Sequence, residues 1–202
     1  MILSLQGCMA VGKTTAVQYL REHLPEVHIS YEDNQAVIRR IKEKGLDKNC
    51  FADYIQIQRM WIENEILRWR SAQPYAYTIM DFGAEEIEFY TLNYPKSIGE
   101  EWDVETALEQ ELEQLRKCLP HRILFLDADE AELRKRKEKD DTRSRTFFEH
   151  HVKYLLPLKK AWFSQKEDVD ILDVNQLTKA ELGEAVKAWL LQCVKDKDII
   201  KN

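Results

Sequence analysis

Residues 7–15 read GCMAVGKTT and satisfy Gly-x-x-x-x-Gly-Lys-[Ser/Thr] at every fixed position. The flanks restrict the chain further. MILSLQ before the stretch is a short apolar run suited to a buried strand, and KTTAVQYLREHL after it has helical spacing through Val17, Leu20 and Leu24. A strand, a glycine loop and a helix in that order make a phosphate-binding turn. Gly7 and Gly12 let the backbone, with Ala10 and Val11 between them, close around a polyphosphate, its N–H groups inward. The helix beginning near Lys13 adds its positive dipole end. Lys13 is expected to reach the β- and γ-phosphates and Thr14 to offer a hydroxyl to Mg²⁺, with Thr15 capping the site or reaching another phosphate. Cys8 fills a variable position of the loop and is read as a small residue, not a reactive thiol.

Four further β-like runs follow: VHISY at 27–31, AYTIM at 76–80, RILFLDA at 122–128 and VDILDV at 169–174. Helical patterns separate them, among them DNQAVIRRIKEK, YIQIQRMWIENEILRW and VETALEQELEQLRKCL. This alternation implies a parallel sheet covered on both faces and joined by right-handed crossovers. Asp129 with Glu132, Thr146 with Glu149 and Thr178 with Glu181 each form a capping-box pattern. NYPKSIGEEW at 93–102 is the expected mobile surface insertion. With 202 residues and neither repeats nor a linker, one domain over 1–202 is expected.

A composition of 44% hydrophobic and 33% charged residues suits a globular, soluble chain. The net charge of −6 argues against a general nucleic-acid surface. Its four cysteines lack metal-ligand spacing, the glycine loop starts too early to leave room for a signal peptide, and no apolar run reaches bilayer length. A cytoplasmic protein without disulfides, membrane or nucleic-acid partner is the expectation.

In an open α/β sheet, ligands gather at the carboxyl ends of the strands. Asp81 ends YTIMD, Glu32 and Asp33 follow HISY, and Asp127 lies within FLDAD. Asp81 is preferred as the carboxylate that holds Mg²⁺, partly through water. Asp127 is the alternative, though it is followed at once by the turn at Asp129. Glu32 is read either as the base for an acceptor hydroxyl or as a solvated turn carboxylate. The tripeptide Asp81-Phe82-Gly83 matches a protein-kinase signature by coincidence, because the His-Arg-Asp loop that should accompany it is missing. RKRKEKDDTRSR at 134–145 carries seven basic and three acidic residues. It is a solvated helix face or, as preferred, a clamp in which Arg143 and Arg145 join Arg134 and Arg136 to grip phosphate. Most aromatics between Phe51 and Tyr94 are core. Gln58, Arg59 and Phe82 are expected to line an acceptor pocket for a flat polar ring.

GCMAVGKT and RSRTFFEHHVKYLLPLKKAWF together resemble the nucleoside and nucleotide kinases of the P-loop fold, most nearly the deoxynucleoside-kinase and thymidylate-kinase-like group. The second segment carries the resemblance through Arg143, Arg145, Glu149, Tyr154, Leu155, Leu158 and Trp162. The resemblance implies a three-layer α/β P-loop NTPase fold, a five-stranded parallel sheet in order 2-3-1-4-5 and a helical lid at about 129–150. It also implies a base at Glu32 and an amide against the acceptor from Gln56 or Gln58. Those kinases have an arginine after the acidic residue of the third strand, where this chain has Phe82; Arg59 is the candidate substitute. The expected function is transfer of the γ-phosphoryl group of ATP, with Mg²⁺, to a small acceptor such as a nucleoside or nucleotide. Alternatives are a kinase of another metabolite or antibiotic hydroxyl, and a nucleotide-dependent switch. A homodimer is compatible with either, and lid closure is expected to hinge near Asp140 to Ser144.

Overall fold

A computed structural model describes residues 1–139 and 146–200. Strands β1 (Ile2–Gly7), β2 (His28–Ser30), β3 (Thr78–Asp81), β4 (Arg122–Asp127) and β5 (Val169–Asp173) form one parallel sheet in the order β2-β3-β1-β4-β5. This is the order that the resemblance implies. β1 lies at the centre and is buried along its length, as expected for a strand covered on both faces. The outer strands are managed differently. β2 is only three residues long, and β5 carries Asp170, whose carboxylate takes two hydrogen bonds from Arg122 and one from Trp189.

One face of the sheet is covered by α1 (Lys13–His23) and α10 (Lys179–Ile200), where Leu3, Leu5, Val17, Leu20, Val186 and Leu190 pack together. The other face carries α3 (Phe51–Ala72), α4 (Ala84–Ser97) and α9 (Leu156–Ser164). There Tyr54, Ile62 and Leu112 form one cluster and Phe89, Phe125 and Phe163 another. α2 (Gln35–Lys44) precedes α3, α7 (Glu130–Glu138) follows β4, and α8 (Phe148–His150) continues through a π-helical turn, His151–Leu155, into α9. Such turns are concentrated at functional sites.

Several expectations are corrected. VETALEQELEQLRKCL is two helices, α5 (Val104–Ala107) and α6 (Glu109–Arg116), broken at Leu108 by a non-helical backbone. The apolar spacing still works, because Leu108, Leu112 and Leu115 are all buried. The segment 93–102 is not a surface insertion at its start: residues 93–97 form the last turn of α4, with Asn93, Tyr94, Pro95 and Ser97 buried. Pro95 lacks the N–H that would bond the carbonyl of Thr91. The hydroxyl of Tyr54 lies 3.0 Å from that carbonyl and from the Tyr90 carbonyl, which lets the helix tolerate the proline.

Of the three capping boxes, only Thr178 and Glu181 bond reciprocally, at 2.8 and 3.3 Å. Asp129 makes no side-chain cap, and Glu132 pairs with Arg136 and Lys135. Phe147, not Thr146, precedes α8, while Glu149 pairs with Arg134 and Lys137. In both cases neighbouring cations offer the carboxylate a stronger, charge-assisted bond than a backbone N–H does.

Candidate functional site

The carboxyl ends of β1, β2 and β3 open onto a cleft of about 1140 Å³. Its first half is built from backbone. Gly7, Ala10 and Gly12 have φ of 139°, 65° and 112°, which curl residues 7–12 into the loop that the sequence predicted. A β-carbon on Gly7 would lie 2.6 Å from the carbonyl oxygen of Leu126, and one on Gly12 would lie 2.6 Å from Cδ2 of Leu182. Both glycines are therefore needed for space as well as for φ. Lys13 Nζ donates to the carbonyls of Gly7 and Cys8 at 3.0 and 3.2 Å. Val11, Thr14 and Thr15 line the same half. Cys8 is buried, and burial pushes its thiol up to about 11, in keeping with a packing role.

Arg136 reaches the loop from α7, donating to the carbonyls of Val11 at 2.6 Å and Val174 at 2.5 Å. It thus fastens the first helix of the expected lid to the phosphate loop. Arg134 does not join it. Its guanidinium is held by Glu130 and Glu149 at 2.7 and 2.8 Å, away from the cleft. Arg143 and Arg145, and the hinge at Asp140 to Ser144, lie outside the described residues.

The second half of the cleft is built from side chains. Glu32, Asp81 and Phe82 come from the ends of β2 and β3, Gln58 and Trp61 from α3, and Tyr90 from α4. Glu32 meets solvent inside the cleft, yet surrounding protein strips much of its hydration and raises its carboxyl to about 7. Asp81 and Glu86 push in the same direction, while Arg68 and Lys13 oppose them. A carboxyl poised near neutrality beside a phosphate loop is suited to taking a hydroxyl proton. Asp81 lines the cleft, whereas Asp127 lies off its lining and is paired with Lys160 at 2.6 Å.

Of the two candidate amides, Gln58 faces the cleft and Gln56 does not. Residues two apart on a helix project about 200° from each other, so one position excludes the other. Gln56 is exposed and bonds back to the carbonyl of Ala52. Gln58 is buried, and its oxygen accepts from the Thr91 hydroxyl at 2.9 Å, which leaves its NH₂ as the remaining hydrogen-bonding group. Arg59 is also away from the cleft, paired with Glu111 at 2.7 Å on α6.

Sequence reasoning missed Arg68. It donates to the carbonyls of Ser30, Asp81 and Phe82 at 3.2, 3.4 and 2.6 Å, and pairs with Glu65 at 2.9 Å. Its guanidinium also lies over the Phe82 ring, 5.1 Å from the centroid. Arg68 therefore ties the ends of β2 and β3 together and supports Phe82 in its left-handed conformation, φ 49°. The signal available was Glu65 and Arg68 at i,i+3 in EILRW, whose other residues are apolar.

A buried polar group behind the phosphate loop was missed as well. Lys159 is fully buried, with Nζ 2.7 and 2.5 Å from the two carboxylate oxygens of Glu86 and 3.1 Å from the carbonyl of Gly7. Next to it the Tyr90 hydroxyl and His151 Nδ1 are 2.7 Å apart. Burial, with the charges of Lys159 and Lys13, lowers His151 to about 2, so its ring stays neutral. The warning in the sequence was a lysine inside an apolar stripe: Leu155, Lys159 and Phe163 recur every four residues.

No family model matches the chain. Two guanylate kinases, from Mycobacterium bovis and Mycobacterium tuberculosis, are each 34% identical to it over 68 residues, which is 34% of this chain. The match spans about a third (32%) of the length of these curated relatives. Among solved structures, a thymidylate kinase from Candida albicans superposes with a TM-score of 0.66 at 17% identity, over 95% of this chain and 91% of its own. A deoxyadenosine kinase from M. mycoides, solved with bound dCTP, gives 0.64 at 13% identity, over 95% and 100%. The architecture is thus the three-layer P-loop fold seen in nucleotide and nucleoside kinases.

Proposed function

We propose that this chain transfers the γ-phosphoryl group of ATP to a hydroxyl of a small acceptor, most consistent with a nucleoside or nucleotide. The observation that carries this reading is the pairing, in one cleft, of a fully formed phosphate loop with Glu32, whose carboxyl is held at about 7. The backbone of residues 7–12, Lys13 and Thr15 hold the polyphosphate, and Arg136 keeps the lid helix against the loop. Thr14 and Asp81 fit Mg²⁺. Among the described residues no three His, Cys, Asp or Glu side chains cluster as a metal cage, and Mg²⁺ bound with phosphates and water asks for only one or two carboxylates. When bound, the ion supplies neutralising charge to the phosphates.

On the acceptor side, Gln58 donates its amide N–H to a planar ring, Phe82 and Trp61 supply apolar faces, and Glu32 takes the proton of the attacking hydroxyl. Arg143 and Arg145 neutralise charge during transfer, as the resemblance implies. Positioning and electrostatics account for most of the acceleration in such chemistry. The cytoplasm is the proposed location, and among the described residues no helix is long and apolar enough to cross a membrane. A second reading, a kinase of another metabolite or antibiotic hydroxyl, is favoured by Phe82 standing where the resemblance calls for arginine.

The test is ADP release from Mg·ATP across nucleosides, nucleoside monophosphates, sugars and aminoglycoside-type alcohols, with Lys13→Ala as the blank. Turnover is expected with a nucleoside or its monophosphate and to vanish in the blank. Turnover confined to sugars or aminoglycosides establishes the second reading. Tight ATP binding without acceptor-dependent turnover supports a switch and overturns both.

A further inference from the structure

Two lysines converge on one oxygen, the carbonyl of Gly7. Lys13 Nζ lies 3.0 Å from it and Lys159 Nζ 3.1 Å. Lys13 comes from the first turn of α1 and lines the cleft; Lys159 comes from α9 and meets no solvent. The Lys159 ammonium is enclosed by both oxygens of Glu86 and by the rings of Phe89, Tyr90 and Phe163, whose centroids are 5.8, 5.6 and 5.9 Å away. Lysine is almost never fully buried unless paired, and a buried ion pair is weak evidence for stability, since an apolar residue of similar size often packs at least as well. A role beyond packing follows from where the ammonium is aimed.

A phosphate-loop lysine reaches the β- and γ-phosphates of its nucleotide. Reaching them turns Lys13 away from the carbonyls of Gly7 and Cys8, which now take two of its three N–H groups. The Gly7 carbonyl belongs to a residue with φ 139° and no room for a side chain, so its direction helps to set the whole loop. The geometry points to Lys159 as a positioning residue that keeps its hydrogen bond to the Gly7 carbonyl while Lys13 swings to the phosphates, with Glu86 keeping Lys159 aimed. The loop then keeps one shape with and without nucleotide. Glu86 also lines the cleft, so the same pair joins the acceptor wall on α4 to the donor loop. This inference rests on the proposed binding of a polyphosphate by residues 7–15.

The experiment is calorimetric binding of Mg·ATP, Mg·ADP and AMP to the wild type, to Lys159→Met and to the double variant Lys159→Met/Glu86→Gln, in which no carboxylate is left stranded. AMP lacks the phosphates that draw Lys13 away. The variants are expected to bind ATP and ADP about tenfold more weakly, the scale of one lost buried hydrogen bond, and Lys159→Met is expected to bind AMP as the wild type does. Equal loss for all three nucleotides, or no loss, overturns the inference while leaving the proposed activity standing. A wild type that binds no nucleotide overturns the activity and the inference together. If both variants fail to fold, the wild type labelled with carbonyl-¹³C glycine decides: the Gly7 carbonyl signal is expected to stay hydrogen-bonded on adding Mg·ADP, and its loss overturns the inference.

Discussion

The two halves of the cleft are specified by different means. The donor half is set by local backbone, three left-handed residues within six positions followed by the start of a helix. The acceptor half is assembled from side chains of β2, α3, β3, α4 and the π-helical turn, far apart in sequence. A locally encoded loop can move between chains with its function intact. An assembled pocket can change its ligand by small repacking.

This contrast can be broken at specific residues. The largest effect is expected for Arg68→Ala, which strands the buried Glu65 carboxylate and releases three carbonyls at the ends of β2 and β3. A loss of about 3–5 kcal/mol in denaturant unfolding is expected. Glu32→Gln leaves the fold intact and is expected to lower kcat by about 10²–10⁴. Because the proposed base works when ionised and burial raises Glu32 to about 7, wild-type kcat/KM should rise through neutral pH and level off above it. The same limb should be missing from the Glu32→Gln profile. On the donor side, Gly7→Ala places a methyl 2.6 Å from the Leu126 carbonyl at φ 139° and is expected to cost about 1–3 kcal/mol of stability and to abolish nucleotide binding.

Smaller effects sharpen the comparison. Gln58→Ala is expected to raise the acceptor KM about tenfold with ATP KM unchanged, and Gln56→Ala to change neither. Arg59→Ala breaks an exposed pair with Glu111 and should shift stability by less than about 1 kcal/mol. If Gln56 or Arg59 proves to control acceptor KM, the acceptor half is not arranged as described.

The same contrast explains what was legible in the sequence. Gly7, Gly12, Lys13 and Thr14 announce their geometry because loop, φ and helix start are fixed within a few residues. Glu32 and Asp81 were legible because they end apolar strands. Choosing between Gln56 and Gln58 needed the rotation of α3 about its axis, which spacing alone does not set. Arg59 was placed in the acceptor pocket and Arg68 was given no role, because only the packing of β2 and β3 against α3 separates the two. Lys159 was hidden for the opposite reason: a lysine is expected in water, and its burial depends on Glu86, 73 residues away. The cap at Thr146 and the place of Arg134 in the clamp failed because Glu149 had more than one partner within reach.

The Tyr54 hydroxyl beside the Thr91 carbonyl has an evolutionary consequence. Pro95 is tolerable inside α4 only while Tyr54 supplies the missing donor, so the two positions are contingent on each other. A lineage can replace Tyr54 by phenylalanine without penalty only after it has lost Pro95. The reverse order passes through a less fit intermediate, and descendants are expected to carry Pro95 only together with Tyr54.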